Sequence, residues 1–204
     1  MNIGFALTGS FCTFSQVFPV MERLAKDHQV IPIFSPAAYY TDTRFGAAQD
    51  HILRAADICG KDPWYTIAQV EPIGPKKLLD LLLIAPCTGN TLAKLSHGIA
   101  DTAVTMAAKS QLRNGRPVLL AVSTNDALGA AAENIGRLMN RKNYFFVPYG
   151  QDDAAGKPAS MVADFDRIPE AVEAALSGRQ LQPLLLYCNN VSEKGENRKL
   201  VLAF

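Results

Sequence analysis

The stretch Leu81-Leu82-Leu83-Ile84-Ala85-Pro86-Cys87-Thr88-Gly89-Asn90-Thr91 joins a wholly apolar run to a cluster of hydrogen-bonding residues. A short run with no polar alternation is the pattern of a strand covered on both faces, as in a parallel sheet. The polar residues after it sit where open α/β sheets place their ligands, beyond the carboxyl end of a strand. Outward from it the pattern returns. Residues 3–8, 30–34, 118–122 and 144–147 are short, rich in β-branched, leucine or aromatic residues, and bounded by Gly, Pro, Ser or Thr. Amphipathic stretches lie between them. Phe14, Val17, Phe18, Met21, Leu24 and Ala25 share one helical face. Residues 91–112 predict helix with a break near Gly98. Residues 126–141 predict a helix with Leu128, Ala132, Ile135, Leu138 and Met139 facing inward, and 169–176 a short helix closed by Gly178. Strands and helices in alternation imply right-handed βαβ crossovers. The expected fold is a doubly wound parallel sheet, Rossmann-like and flavodoxin-like, flanked by helices in three α/β/α layers.

The 204 residues suit one domain, expected over residues 1–187, with a polar tail over 188–204. A chain of this size buries roughly 70% of its unfolded surface and folds without staples. With 20 basic and 19 acidic residues and no basic stripe, it lacks the footprint of a nucleic-acid binder. Cys12, Cys59, Cys87 and Cys188 form no CxxC pair, and His28, His51 and His97 do not join them at ligand spacing, so no metal site is expected. The longest apolar run, 78–86, is interrupted by Asp80 and falls short of the ~20 residues that span a bilayer. The sequence opens on Asn2-Ile3-Gly4-Phe5 without a secretory-signal pattern. A cytoplasmic protein that avoids membranes is the expectation. Residues 150–160 (GQDDAAGKPAS) read as a long polar loop.

Four segments directly after strands are candidates for the chemistry: 8–13, the post-strand loop 35–46, 86–91 and 123–126. In Thr8-Gly9-Ser10-Phe11-Cys12-Thr13, Gly9 permits close approach of a ligand, and Ser10 with the following amides can face an anion at a helix N-terminus. One glycine where the dinucleotide fingerprint has three suits a single phosphate better than a pyrophosphate. A plain helix cap is the alternative. In residues 86–91, Thr88, Asn90 and Thr91 supply hydrogen bonds and Gly89 an unusual backbone angle. That suits a ligand-orienting loop, with a helix cap at Thr88 or Asn90 as the alternative. In Ser123-Thr124-Asn125-Asp126, Asn125 or Asp126 is expected to cap the next helix, whether or not the segment also touches a ligand. The Asp152-Asp153 pair reads as a solvated turn rather than a carboxylate dyad. Arg44 is the cation expected to reach a carboxylate. His51 and His97 read as half-exposed helix residues, and Cys87 as a buried small residue rather than a nucleophile.

These strings resemble a known family. Thr8-Gly9-Ser10 after a strand, then Pro86, Asn90, Thr91, Lys94 and Gly98-Ile99-Ala100-Asp101, are similar to the flavoprotein family of homo-oligomeric flavin-containing cysteine decarboxylases. There the second stretch reads Pro-Ala-Ser-Ala-Asn-Thr, then Lys-Ile-Ala, then Gly-Ile-Ala-Asp, and the likeness covers residues 2–177. Within the family the chain looks more like the branch of dipicolinate synthase B subunits of spore-forming bacteria. Thr43-Arg44-Phe45-Gly46, Met106-Ala107-Ala108-Lys109, residues 123–129 and residues 145–153 carry that likeness. The family's catalytic His falls at about Pro72, which cannot relay a proton, and of its Pro-x-Met-Asn segment only Asn125 is kept.

The resemblance implies one component of a two-protein oxidoreductase. It would act with the A subunit of dipicolinate synthase, which binds a nicotinamide dinucleotide (NADP), to oxidise dihydrodipicolinate, in the mother cell of a sporulating bacterium. It implies FMN held by Gly9, Ser10, Phe11, Cys12, Ser35, Pro86, Cys87, Thr88, Gly89, Asn90, Thr91, Ser123 and Thr124. The replacement of Ala-Ser-Ala by Cys87-Thr88-Gly89 leaves the strength of that binding open. Arg44 and Asn125 would take carboxylates of the dicarboxylate substrate. No catalytic residue is assigned, and a homo-oligomer, a trimer or its multiple, is implied by the family alone. An FMN-dependent decarboxylase or prenyltransferase, and a non-catalytic flavin-fold scaffold, remain as alternatives.

Overall fold

In a computed structural model, which describes residues 1–186, the chain alternates strands and helices from its second residue. The tail expected over 188–204, with Cys188, lies outside the described residues. Asn2–Leu7 (β1) leads through a 3-10 turn at Phe11–Thr13 into Phe14–Asp27 (α1). Gln29–Phe34 (β2) is followed by Pro36–Tyr40 (α2), Ala48–Cys59 (α3), Ile67–Val70 (α4) and Ile73–Lys76 (α5). Leu81–Cys87 (β3), Gly89–Ser96 (α6), Ala103–Arg113 (α7) and Val118–Thr124 (β4) complete the centre. Ala130–Met139 (α8), Tyr144–Phe146 (β5), Tyr149–Gly150 (β6), Met161–Ala163 (β7) and Ile168–Leu176 (α9) follow.

The parallel strands lie in the order β2-β1-β3-β4-β5. This is the flavodoxin-like order, in which the chain reverses direction across the sheet beside β1 and β3. α1 and α9 cover one face, α6 and α7 the other. Every residue of β3 is buried, as its unbroken apolar run requires. To this parallel sheet the structure adds an antiparallel extension that the sequence reading did not include. β7 pairs antiparallel with the end of β4 (Ser123 opposite Val162) and with β6 (Gly150 opposite Val162). Two- and three-residue strands are too short to show a period of two, so they left no signal.

Helix boundaries shift for identifiable reasons. The stretch 91–112 is two helices: α6 ends at Ser96, Gly98 adopts a left-handed φ of 73°, and Thr102 caps α7 by accepting from the Thr105 amide. α8 begins at Ala130, later than expected, and neither Asn125 nor Asp126 caps it. The Asp126 carbonyl accepts from the Gly129 and Ala131 amides, while the Leu128 amide donates to Ala159 O at 3.0 Å. Residues 126–129 are thereby tied to the loop opposite as a turn. Leu128 is therefore 55% exposed, and Ala132 and Met139 also face outward. Ala131, Ile135 and Leu138 make the buried face. α2 to α5 arose where the sequence predicted only a post-strand loop and scattered helical pattern. Their caps (Ser35 for α2, a Thr66/Gln69 capping box for α4) explain them locally.

Candidate functional site

Beyond the last backbone pair of β3 with β4, Cys87 opposite Val122, the loops that follow β1, β3 and β4 are joined by side chains. Thr8, buried just past β1, donates from Oγ1 to Pro86 O at 2.6 Å and accepts from the Thr88 amide at 3.1 Å. Ser10 Oγ lies 2.8 Å from Ser123 Oγ, joining the β1 loop to β4. Thr124 Oγ1 donates to the Asp126 carboxylate, and Gly89 sits against this pair. A Cβ at Gly89 would stand 2.8 Å from both Thr124 Oγ1 and Asp126 Oδ1. Glycine is therefore required here for close approach between two loops. The unusual backbone angle expected of it is absent, because Gly89 opens helix α6.

Two concavities flank this junction. The larger encloses about 730 Å³, within the roughly 300–1,000 Å³ typical of small-molecule sites. Ser10, Phe11, Cys12, Ser123, Thr124 and Asn125, all among the predicted site residues, line it. The smaller, about 290 Å³, takes Ser35, Thr88, Asn90 and Thr91 on its walls, and Gly9 borders both. The predicted residues are thus divided between two hollows. Pro86, Cys87 and Gly89 line neither. Burial pushes the Cys87 thiol well above its ordinary value, which leaves it inert, as its apolar surroundings predict.

Thr88 is the cap of α6: its Oγ1 accepts from the Thr91 amide and lies 3.1 Å from Thr91 Oγ1. Of the two readings of this loop, the structural one accounts for Thr88, while exposed Asn90 remains directed to the small hollow. Ser10 does not cap the first turn by its side chain; Thr13 Oγ1 instead donates to Ser10 O. Arg44 borders neither hollow. Its guanidinium lies over the Phe45 ring, 4.8 Å from the centroid, and it is Phe45 that reaches the larger cavity. The turn Thr43-Arg44-Phe45-Gly46, closed by hydrogen bonds between Thr43 and Gly46, produces that exchange.

The sequence reading missed the outer wall of the larger hollow, formed by the loop between β6 and β7. Asp153, read as a solvated turn residue, is one: its carboxylate accepts from the Gly156 amide at 2.8 Å. Asp152 behaves differently. It faces the cavity beside Lys157 and Ser160. Partial burial works against its ionisation, but the Ser160 hydroxyl, its own amide and Lys157 outweigh that and hold the carboxyl below its usual value. In the smaller hollow, Lys94 was visible in the matched motif. Its Nζ lies 2.9 Å from both oxygens of Asp101, whose carboxyl is lowered chiefly by that hydrogen bond.

His51 is buried, not half-exposed. It stacks on Phe18 at 5.9 Å, meets Phe14 edge-on at 4.9 Å, and has no partner for Nε2. Gly46 packs on its ring, where a Cβ would come within 2.9 Å. His97 is exposed at the end of α6. No histidine borders either hollow, and Pro72 stands at the start of α5 outside both. Among the described residues no helix is long and apolar enough to cross a membrane, and no group of three or more His, Cys, Asp or Glu side chains could hold a metal.

Comparison with known proteins places this architecture. Residues 1–174 match the model of the Flavoprotein family. The B subunit of dipicolinate synthase from Bacillus subtilis is 47% identical over 186 residues, covering 91% of this chain and 93% of that one. The crystal structure of the corresponding B subunit from Bacillus halodurans superposes with a TM-score of 0.84 at 44% identity, covering 91% of this chain and 96% of that one. The FMN-dependent cysteine decarboxylase SpaF has the same fold at 19% identity, with a TM-score of 0.60 over 86% of this chain and 94% of that one. The chain belongs to the Flavoprotein family, and within it its similarity is to dipicolinate synthase B subunits.

Proposed function

We propose that the chain is the flavoprotein-type component of a dipicolinate synthase. It acts with an NADP-binding A subunit to oxidise dihydrodipicolinate to dipicolinate during sporulation. The observation that carries this reading is the large cleft between β1 and β4, in a chain similar along nearly its whole length to dipicolinate synthase B subunits. Oxidation of a dihydropyridine removes a hydride and a proton while the ring gains aromaticity, so it asks little of an acid–base group. A cleft that no histidine lines, in a chain with Pro72 where the family's catalytic His falls, is consistent with that demand.

The lining also fits a flavin. Ser10, Ser123 and Thr124 offer hydroxyls to a polyhydroxy chain, and Phe11, Phe45 and Val162 offer apolar surface to a flat ring. Gly9, which borders both hollows, and Ser10 with Ser35 would hold the phosphate end, Asn90 with Ser123 and Thr124 the ribityl chain or ring, and Asn125 a substrate carboxylate. Bound FMN would supply a hydride acceptor. The protein's own work is to orient the ring and exclude water, with Thr8 and Gly89 fixing the walls. A homo-oligomer of trimeric symmetry belongs to the same proposal.

The test is to purify the chain and its NADP-binding partner separately and together, and to follow dihydrodipicolinate-dependent reduction of NADP. Activity that needs both proteins, with flavin absorbance on this chain, is the expected result. Restored activity without any uptake of FMN would favour the scaffold reading, for which the hydroxyl groups occupied in bracing the loops speak. Release of carbon dioxide from a peptidyl cysteine would instead favour a decarboxylase.

A further inference from the structure

Among the described residues the larger cleft has one cationic side chain on its lining, and it is not the arginine that the sequence singles out. Lys157 stands on the loop between β6 and β7, opposite the wall that carries Ser10 and Ser123. Its backbone is held at both ends: its amide donates to Asp153 O at 2.8 Å, and its carbonyl accepts from the Ser160 amide at 2.9 Å. Gln151 Nε2 donates to Pro158 O at 2.8 Å, which closes the same loop across its base. The side chain is therefore presented from an ordered turn. Its Nζ lies 3.4 Å from Asp152 Oδ2, a long and weak contact, and its side chain is 60% exposed. An ammonium group carries three donors, so this contact leaves capacity for an incoming anion.

Arg44 cannot fill this role where it stands, over the Phe45 ring and off the cavity wall. We propose that Lys157 binds one carboxylate of the substrate and so makes the cleft selective for a pyridine dicarboxylate over a monocarboxylate. The inference rests on the functional reading above, and deepens it. The ring would lie between Lys157 and the wall bearing Asn125, with Phe45 beside it. A ligand lacking the second carboxylate would leave Lys157 paired with Asp152 and gain nothing from it.

The experiment is calorimetric titration of the purified full chain with pyridine-2,6-dicarboxylate and, separately, pyridine-2-carboxylate. Wild type is expected to bind the dicarboxylate at least tenfold more tightly. Lys157→Gln should abolish most of that preference, Lys157→Arg should retain most of it, and Arg44→Gln should leave it within about twofold. Circular dichroism and thermal unfolding check that each variant is folded, which an exposed loop position favours. No preference in wild type, or a preference that survives in folded Lys157→Gln, overturns the proposal. NADP reduction in the presence of the NADP-binding partner, measured in parallel, separates the two levels. Oxidation by wild type with an unchanged preference in Lys157→Gln removes the lysine's role and leaves the functional reading. Absence of oxidation with both proteins present removes the reading itself.

Discussion

The loop after β3 and the loop between β6 and β7 border the same junction and do opposite things with their polar groups. Residues 86–91 use theirs internally. The Pro86 carbonyl and Thr88 amide are held by Thr8, and Thr88 and Thr91 satisfy each other at the start of α6. Residues 151–160 use backbone and the Asp153 carboxylate for their own turn, yet direct Lys157 and Asp152 toward the larger cleft. The first loop is a brace with a ligand-facing Asn90, the second a wall with charge on it. A polar cluster after a buried strand is thus an ambiguous signal. The same residue types serve a ligand or the backbone, and only the partners tell which.

Substitutions in the two loops should therefore differ in kind as well as in size. The largest effect is expected from Thr8→Val, which keeps the shape but leaves Pro86 O and the Thr88 amide without their partner in the interior. A loss of about 2–3 kcal/mol in urea unfolding is expected, and a loss under about 0.5 would mean that the brace is dispensable. Next comes Gly89→Ala, whose Cβ would press on Thr124 and Asp126 at 2.8 Å. It should cost about 1–3 kcal/mol and also weaken flavin uptake, because the loops must separate. Thr88→Ala removes a helix cap and should cost about 1 kcal/mol. Ser123→Ala, at the end of β4 and in neither loop, removes the bond to Ser10 and should cost under about 1 kcal/mol while weakening FMN binding several-fold, measured by flavin fluorescence quenching.

The smallest effect concerns pH. Burial lowers the His51 value in the folded state, with Arg54 acting in the same direction and Asp50 opposing it. An unfolded chain then binds the proton more readily. The stability His51 permits is whole above the ordinary value of about 6.5 and declines as pH falls from there towards the lowered value. His51→Phe, which keeps the aromatic stack, should flatten that part of the unfolding profile.

The central sheet was legible because β1 to β4 are buried on both faces and carry continuous apolar runs, whereas the strand order became visible only from the pairing, since residues 35–80 separate β2 from β3. β6 and β7 were not legible, since a strand of two or three residues has no readable period. The cleft-facing Ser10, Ser123 and Asn125 were legible from position alone, directly after strands. Lys157 and Phe45 were not. Each reaches the cleft through a tight turn whose direction depends on distant contacts: Ala159 to Leu128 for one, and for the other Gly46 against His51, which itself packs on Phe14 and Phe18. Helix α8 failed at its start for the same reason. Asp126 looked like a cap by local chemistry, and a contact with a distant loop overrode it.

The antiparallel pairing of β6 with β7 has a consequence for how such a molecule can change. It anchors both ends of residues 151–160 to the sheet, so the segment between is a closed loop on a fixed base. Lengthening such a loop perturbs folding little, since doubling it adds only about 0.6 kcal/mol of closure entropy. The same insertion would move the charged wall of the cleft by the width of a residue. Diversification of ligand preference among related chains is therefore expected to concentrate in the length and charge of this loop, while the β1–β3 brace stays constant beneath it.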